Sequence, residues 1–410
     1  MDVQRADDSA ERFSAYLDRL ASVIGHAARI APMRDYCTGL LLSCERKSVE
    51  PIAAATAPAG TSAQHQSLLH FLAKGEWSDE AVLAQVRDVV LPQIERHGAI
   101  EVWVVDDTGL PKYGSHSVGV SHQYCGQVGK QTNCQVAVSL SLANHHASLP
   151  VAYRLYLPEK WANGAERRKK AGVPEDVEFA TKPKMALRQI EWACKIGLPR
   201  GVVLMDAGYG HDLSLRKRLT ELDLTYSVGI RGKTLVRATT PQAQPTNAEA
   251  LVKTLPAEGW QTITWRDGTN TPLSSRFLRV RVHPAGDGTT DTEAEEWLLV
   301  EWPEGEKEPT KFWLSTLPET ITFEQMVDIT MMRWRIERDY HELKQEVGLG
   351  HFEGRGWRGF HHHATMCIAA YGFLISERGA FPPCGTRSGY IVQRFAIHSG
   401  YRPRGSAASA

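Results

Sequence analysis

The chain has 410 residues, 42% of them hydrophobic and 23% charged, which excludes a disordered protein and suits two or three domains with sizeable cores. Lysine plus arginine equals aspartate plus glutamate at 47 each, so bulk charge does not announce a nucleic-acid partner, although local basic patches are compatible with neutrality. No apolar run approaches the roughly 18 to 20 residues of a membrane span. The opening MDVQRADDSAERFSAY lacks the apolar stretch of a secretory leader, and seven cysteines without a C-x-x-C pair argue against a disulfide framework or a thiolate zinc site. A reducing cytoplasm is the expected compartment.

Residues 1–98 read as helical. Phe13, Tyr16, Leu17, Leu20 and Ile24 repeat at helical spacing, and Val82, Leu83, Val86, Val90 and Ile94 do so after a cap at Ser78. Two short helices around Pro58–Gly60 fit either a helix-turn-helix-like arrangement or plain helix packing. From 99 to 231 the pattern becomes β-β-β-α-β-α-β. EVWVVDD, NCQVAVSLSLA and LPVAYRLYLP read as strands, KPKMALRQIEWACKIG as a helix, GVVLMDAGYG as a buried strand, HDLSLRKRLTEL as a helix and LTYSVGI as a strand. That order predicts an α/β fold, a mixed sheet with flanking helices. Residues 232–320, with short alternating runs between Gly, Pro and Thr, read as an all-β insertion. Residues 321–380 read as one long charged helix, TFEQMVDITMMRWRIERDYHELKQEVGLG, followed by an apolar one, and 381–410 as a loose tail.

Asp106 and Asp206 each stand at the end of an expected buried strand, where α/β sheets bind ligands. A single strand-end aspartate more often starts a turn or caps the next helix; two of them, with an acidic helix further on, point to a site. In that helix Arg333 and Lys344 lie about 40° and about 20° from Glu337, taking about 100° per residue, whereas Glu342 is rotated by about 140°. Ile336, Tyr340, Leu343 and Val347 form the neighbouring apolar stripe. A carboxylate flanked by two cations suits a metal and a phosphate held together; a solvated salt-bridged face is the plainer meaning. His361–His363, being consecutive on a helix, diverge, and are read as surface or phosphate-contacting residues. ERRKK at 166–170 is read as a loop that either touches a phosphate backbone or is merely solvated. Trp334 and Trp357 are expected in the core or stacking on a nucleic-acid end.

The segment around Arg333, Glu337 and Lys344 resembles the Y-x2-R-x3-E-x6-K signature of insertion-sequence DDE transposases of the IS-four type. VVDDTGLPKYG and LMDAGYG resemble the first and second aspartate motifs of the IS-seven-oh-one branch, and the similarity covers about residues 80–375. The family's Tyr falls on Thr330. The resemblance implies a ribonuclease H-like core with a β-rich insertion and an N-terminal helical region that binds DNA. It further implies metal-dependent strand cleavage and strand transfer at insertion-sequence ends by cut-and-paste transposition. Asp106, with Asp107 as its rival, would join Asp206 and Glu337 as catalytic, metal-ligating residues for two Mg2+ ions, with Mn2+ as the substitute. Arg333, Lys344, Lys112 and Thr330 would contact DNA phosphates. The implied partners are terminal inverted repeats and target DNA, bound by a homodimer in the bacterial cytoplasm, associated with the nucleoid and without a membrane. The alternative is a transposase-derived DNA-binding protein without catalysis.

Overall fold

The computed structural model describes residues 2–267, 272–285 and 294–381; apart from Phe381, the expected tail at 381–410 lies outside them. Five helices come first: α1 (Asp2–Ala21), α2 (Ile30–Leu41), α3 (Val49–Thr56), α4 (Thr61–Ala73) and α5 (Asp79–Glu95). Strands β1 (Val102–Pro111), β2 (Ser121–Cys125), β3 (Lys130–Ala143) and β4 (Ser148–Leu155) follow, then the short helices α6 (Glu159–Ala162) and α7 (Ala165–Ala171). The chain continues through α8 (Lys182–Lys195), β5 (Val202–Met205), α9 (Ala207–Gly210), α10 (Leu213–Glu221) and β6 (Tyr226–Ile230). Strands β7 (Leu235–Ala238) and β8 (Thr246–Asn247), helix α11 (Ala248–Lys253), and strands β9 (Gln261–Asp267), β10 (Pro272–Pro284), β11 (Glu296–Trp302) and β12 (Lys311–Ser315) come next. Helices α12 (Phe323–Met331), α13 (Trp334–Gln345) and α14 (Trp357–Ala380) complete the described chain.

The residues group into two compact units. Among the described residues, one takes the chain up to Ala99, Asp107–Ala180 and the stretch from Glu337 onward; the other takes Ile100–Asp106 and Thr181–Ile336. The divisions fall inside β1 and inside α13, and so differ from the segments read along the sequence.

In the first unit α14 is the central post. Its residues from Gly359 to Ile375 are buried on every side, the pattern of a helix surrounded by protein. Tyr16 of α1 donates its hydroxyl to Ala369 O at 2.8 Å, and Arg12 pairs with Glu377 at 2.7 Å. Helices α2 and α3 meet where Gly39 lacks a side chain; a Cβ there would stand 2.3 Å from Ile52. Strand β3 pairs antiparallel with β2 through residues 130–134 and with β4 through residues 137–143. The histidine triplet belongs to this core and not to the surface, which corrects the sequence reading. His361 Nε2 accepts from the Leu155 amide at 3.3 Å, while Nδ1 meets Trp357 O at 3.0 Å. His362 lies between Leu72 O and Trp77 O, at 2.9 and 3.0 Å, and stacks on Trp77. His363 meets the Tyr36 hydroxyl at 2.8 Å and Gly348 O at 3.1 Å. Three diverging directions become three different buried partners, because α14 is enclosed all round.

In the second unit a large mixed sheet runs β1-β5-β6-β12-β11-β10-β7-β8, with β9 on the free length of β10. Strands β1, β5 and β6 are parallel, and β6 to β12 onward is antiparallel. The inserted strands therefore continue the sheet through β12 and β6. The insertion is not all-β: α11 crosses it, capped by Asn247 accepting from the Ala250 amide at 2.7 Å, and covers an apolar face that includes Val236, Leu278, Leu298 and Phe312. The opposite face packs on α12 through Phe277, Leu299, Trp313, Met326 and Val327.

Burial pushes the basicity of all three histidines down to about 4. An unfolded chain, with ordinary histidines near 6.5, takes up protons between about pH 4 and 6.5 that the folded chain refuses. Their contribution is therefore complete above about pH 6.5 and is lost as pH falls toward 4. The thermal unfolding midpoint is expected to drop across this window, and His363→Gln, which keeps a donor and an acceptor but removes one titrating ring, should flatten the slope. An unaltered slope in the variant would show that the ring is not held neutral.

Candidate active site

The parallel register of β1 and β5 pairs Val102 with Val202, Trp103 with Val203 and Val104 with Leu204. Asp106 and Asp206 each follow two residues beyond the last pair. Two carboxylates thus emerge at the same, carboxyl-terminal end of the pairing, on strands whose neighbours lie about 4.8 Å apart. Strand β1 does not stop at its two aspartates, as the sequence suggested, but runs on to Pro111.

Arg333 Nη1 donates to Asp106 Oδ2 at 2.7 Å, with 15% of the aspartate side chain exposed. A charged hydrogen bond of that length compensates a carboxylate that burial would otherwise penalise. Asp206 also does the work expected of a lone strand-end aspartate. Its Oδ1 accepts from the Gly208 amide at 2.8 Å and caps α9. The turn fits because β6 carries Gly229, where a Cβ would stand 2.8 Å from Ala207 N.

Arg333 sits in a turn, not within a helix. The expected long helix breaks into α12 and α13, with three-residue bonds at the junction: Met332 N–H to Ile329 O, Arg335 N–H to Met332 O and Ile336 N–H to Arg333 O. The single-stripe geometry therefore holds from Trp334 onward but not across to Arg333 and Thr330. Thr330 is 2% exposed and shares a 2.7 Å hydrogen bond with the Ser227 hydroxyl, joining α12 to β6. This corrects its expected phosphate contact: the hydroxyl is turned into the protein. Trp334 packs against the guanidinium of Arg266, 4.1 Å from its ring centre.

The remaining expected residues lie in the first unit. Glu337 is exposed on α13, while Ile336, Tyr340, Leu343 and Val347 are buried as their spacing required. Glu342 is also buried. It accepts from Arg338 Nε at 3.0 Å and from Arg378, and although burial alone would raise its carboxyl, the two arginines hold it below the usual range. Arg378 is the partner that no local spacing announced. Lys344 Nζ donates to Gly109 O at 3.0 Å and Lys112 Nζ to Phe352 O at 2.6 Å. Burial lowers both ammonium groups, Lys112 to about 8, with Arg46 adding to the effect there. Each uses one of its three donors on a carbonyl.

Carboxylate oxygens suit hard divalent ions, and the Asp106–Asp206 pair offers them at one sheet end. Among the described residues no three or more His, Cys, Asp or Glu stand grouped as a metal cage. At Asp106 the neighbouring positive charge is the Arg333 guanidinium.

Residues 19–272 match the DDE superfamily endonuclease family, and residues 175–373 match the transposase DDE domain. The chain is also 25% identical over 292 residues, 70% of its length and 68% of the other, to a protein of Microchaete diplosiphon described as a probable transposase for insertion sequence element IS701. The first of these matches takes in well over half of the chain and both aspartates, and the second adds the helix with Glu337: the protein belongs to the DDE superfamily of endonucleases and is a DDE transposase.

Proposed function

We propose that this transposase cuts and joins DNA at the ends of an insertion sequence through Asp106, Asp206 and Glu337, acting as a homodimer on terminal inverted repeats and target DNA. The observation that carries the proposal is the shared register of β1 and β5, which brings two carboxylates to one end of a parallel pair. A ribonuclease H-like core is the reading under which β1, β5 and β6 are the catalytic strands and β7–β12 the insertion. Two Mg2+ ions, or Mn2+ in their place, would be held by Asp106, Asp206 and Glu337 and would activate a nucleophile and stabilise the leaving oxygen.

The chain's own residues orient the phosphodiester. Arg333 donates to Asp106 and so holds that carboxylate in place beside a positive charge. Lys344 and Lys112 bring two further cations, each anchored to a carbonyl and keeping donors for phosphate oxygens. Asp106 is preferred to Asp107 because the arginine is bonded to Asp106 and successive strand residues face opposite ways. The site acts on bacterial DNA, so the cytoplasm and its nucleoid are the proposed location.

Asp106→Asn and Asp206→Asn should each abolish nicking of repeat DNA while leaving DNA binding in place, since an amide keeps the shape but loses the charge that holds Mg2+. Normal nicking by either variant removes that residue from the site. Binding without nicking by the unaltered protein, with Mg2+ or Mn2+ supplied, would instead favour a catalytically silent DNA-binding protein.

Glu337 and Glu342 should separate by two readouts. Glu337→Gln is expected to lose strand cleavage with an unchanged unfolding midpoint. Glu342→Gln leaves Arg378 without its carboxylate and should cost about 3 kcal/mol of stability, yet keep most of its cleavage per folded molecule. The reverse pattern would place the third carboxylate at Glu342.

A further inference from the structure

One concavity in the first unit is lined by none of the residues assigned above to cleavage or phosphate contact. It has a volume of about 660 Å³ and is walled by α3, α4, the end of α7 and the glycine-rich segment 351–359. Its floor is apolar, with Leu69, Leu72, Ala73 and Phe352, and Leu69 is 40% exposed. Five lysines and arginines line it against two carboxylates, Glu50 and Glu353. Glu353 is taken up by Arg46 at 2.7 Å, and Arg358 stands 3.9 Å from Glu76. Lys74, Lys169, Lys170 and Arg355 are exposed, and none of the four has an ion pair among the described residues.

These four cations are mounted on stiff backbone. Helix α7 is pinned by Arg168, whose guanidinium donates to Val177 O at 2.7 Å and Pro174 O at 2.8 Å, so the following Lys169 and Lys170 project outward. The helix ends at Gly172 in the left-handed region, φ 63°. Arg355 is held by its carbonyl, which accepts from the Val118 amide at 3.0 Å, and the adjacent Gly356 passes close to Ala171 O. Lys74 ends α4, with its carbonyl accepting from Arg358 at 3.2 Å. At the neighbouring wall, burial together with Arg46, Lys47 and Lys112 lowers His351, a sign of crowded positive charge.

We propose that this groove is a DNA-binding site, gripping the phosphodiester backbone of duplex DNA through Lys74, Lys169, Lys170 and Arg355. The inference rests on the transposase reading for its partner but not on the catalytic assignment. A rim of unpaired, preorganised cations on a concave wall is what a polyanion requires, and backbone contact positions DNA without reading its sequence. Of the parts expected from sequence to touch DNA, the N-terminal helical region reaches this wall through α3 and α4, and the basic run at 166–170 reaches it through Lys169 and Lys170, while Arg168 serves the fold.

The experiment measures affinity for duplex DNA against salt concentration in the full-length protein. The quadruple variant Lys74→Gln, Lys169→Gln, Lys170→Gln, Arg355→Gln is compared with a control of equal charge loss, Lys184→Gln, Lys195→Gln, Lys217→Gln, Lys233→Gln, four exposed lysines of the other unit. Each lost phosphate contact should reduce the log–log salt slope by about 0.9, so the groove variant is expected to lose about 3 to 4 units of slope and more than tenfold affinity. The control should lose little, and thermal midpoints confirm that both variants fold. An unchanged slope in the groove variant overturns the proposal, as does an equal loss in the control. If the unaltered protein binds through the groove yet never cleaves with Mg2+ or Mn2+, the groove stands and the catalytic reading falls; if it binds no duplex DNA at low salt, both fall.

Discussion

The parallel pairing of β1 with β5 is the constraint on which the site depends. A parallel ladder sends both strands out at the same end, so equal positions beyond the last pair are neighbours. Asp106 and Asp206 are such positions. A one-residue slip of either strand would turn one carboxylate to the opposite face. Register is fixed here by burial: Val102, Trp103, Val104, Val203 and Leu204 are fully enclosed, and Trp103 Nε1 is anchored to Pro199 O at 2.7 Å. The core of the second unit thus sets the placement of the two carboxylates before any charged group is considered.

Concentrating carboxylates at a sheet end opposes folding, and the structure relieves this with groups that also have other uses. Arg333 neutralises Asp106, and the amide of Gly208 serves Asp206. The break between α12 and α13 belongs to the same solution. A continuous helix would fix Arg333 on a surface stripe; the turn at Met332–Arg333 frees its backbone from that stripe, and the guanidinium meets Asp106. The Thr330–Ser227 bond ties the end of α12 to β6, so the turn starts from a fixed point.

How much of this was legible follows from the range over which each feature is determined. Strand order from β3 to β6 and the faces of α13 after Trp334 arise from local periodicity, and they read correctly from spacing. Helix α11 did not, because six residues bounded by turns give no window in which a helical period can be told from a strand. The helix break left no Pro or Gly to mark it, and the ion pair that Arg333 makes at the break reaches 227 residues back along the chain to Asp106. His361–His363 were misplaced because histidine is ambivalent about burial and their partners, Leu155, Leu72, Trp77, Tyr36 and Gly348, are distant in sequence apart from Gly348. Arg378 escaped for the same reason, lying 36 residues from Glu342.

Charge shows the same separation of local from global information. Equal totals of 47 basic and 47 acidic residues leave the chain no net charge to draw a polyanion. Yet fields in salt water fade over roughly 8 to 10 Å, so what a phosphate feels is the arrangement within that radius. Acidic residues elsewhere are absorbed in pairs such as Asp79 with Arg154, Glu191 with Arg218 and Glu249 with Lys253, which are internally neutral and contribute little at a distance. Cations without such partners, gathered on the wall formed by α4, α7 and the 351–359 segment, then dominate their surroundings. Neutrality of the whole chain limits non-specific attraction, while the unpaired cations of one concave face keep a local positive field.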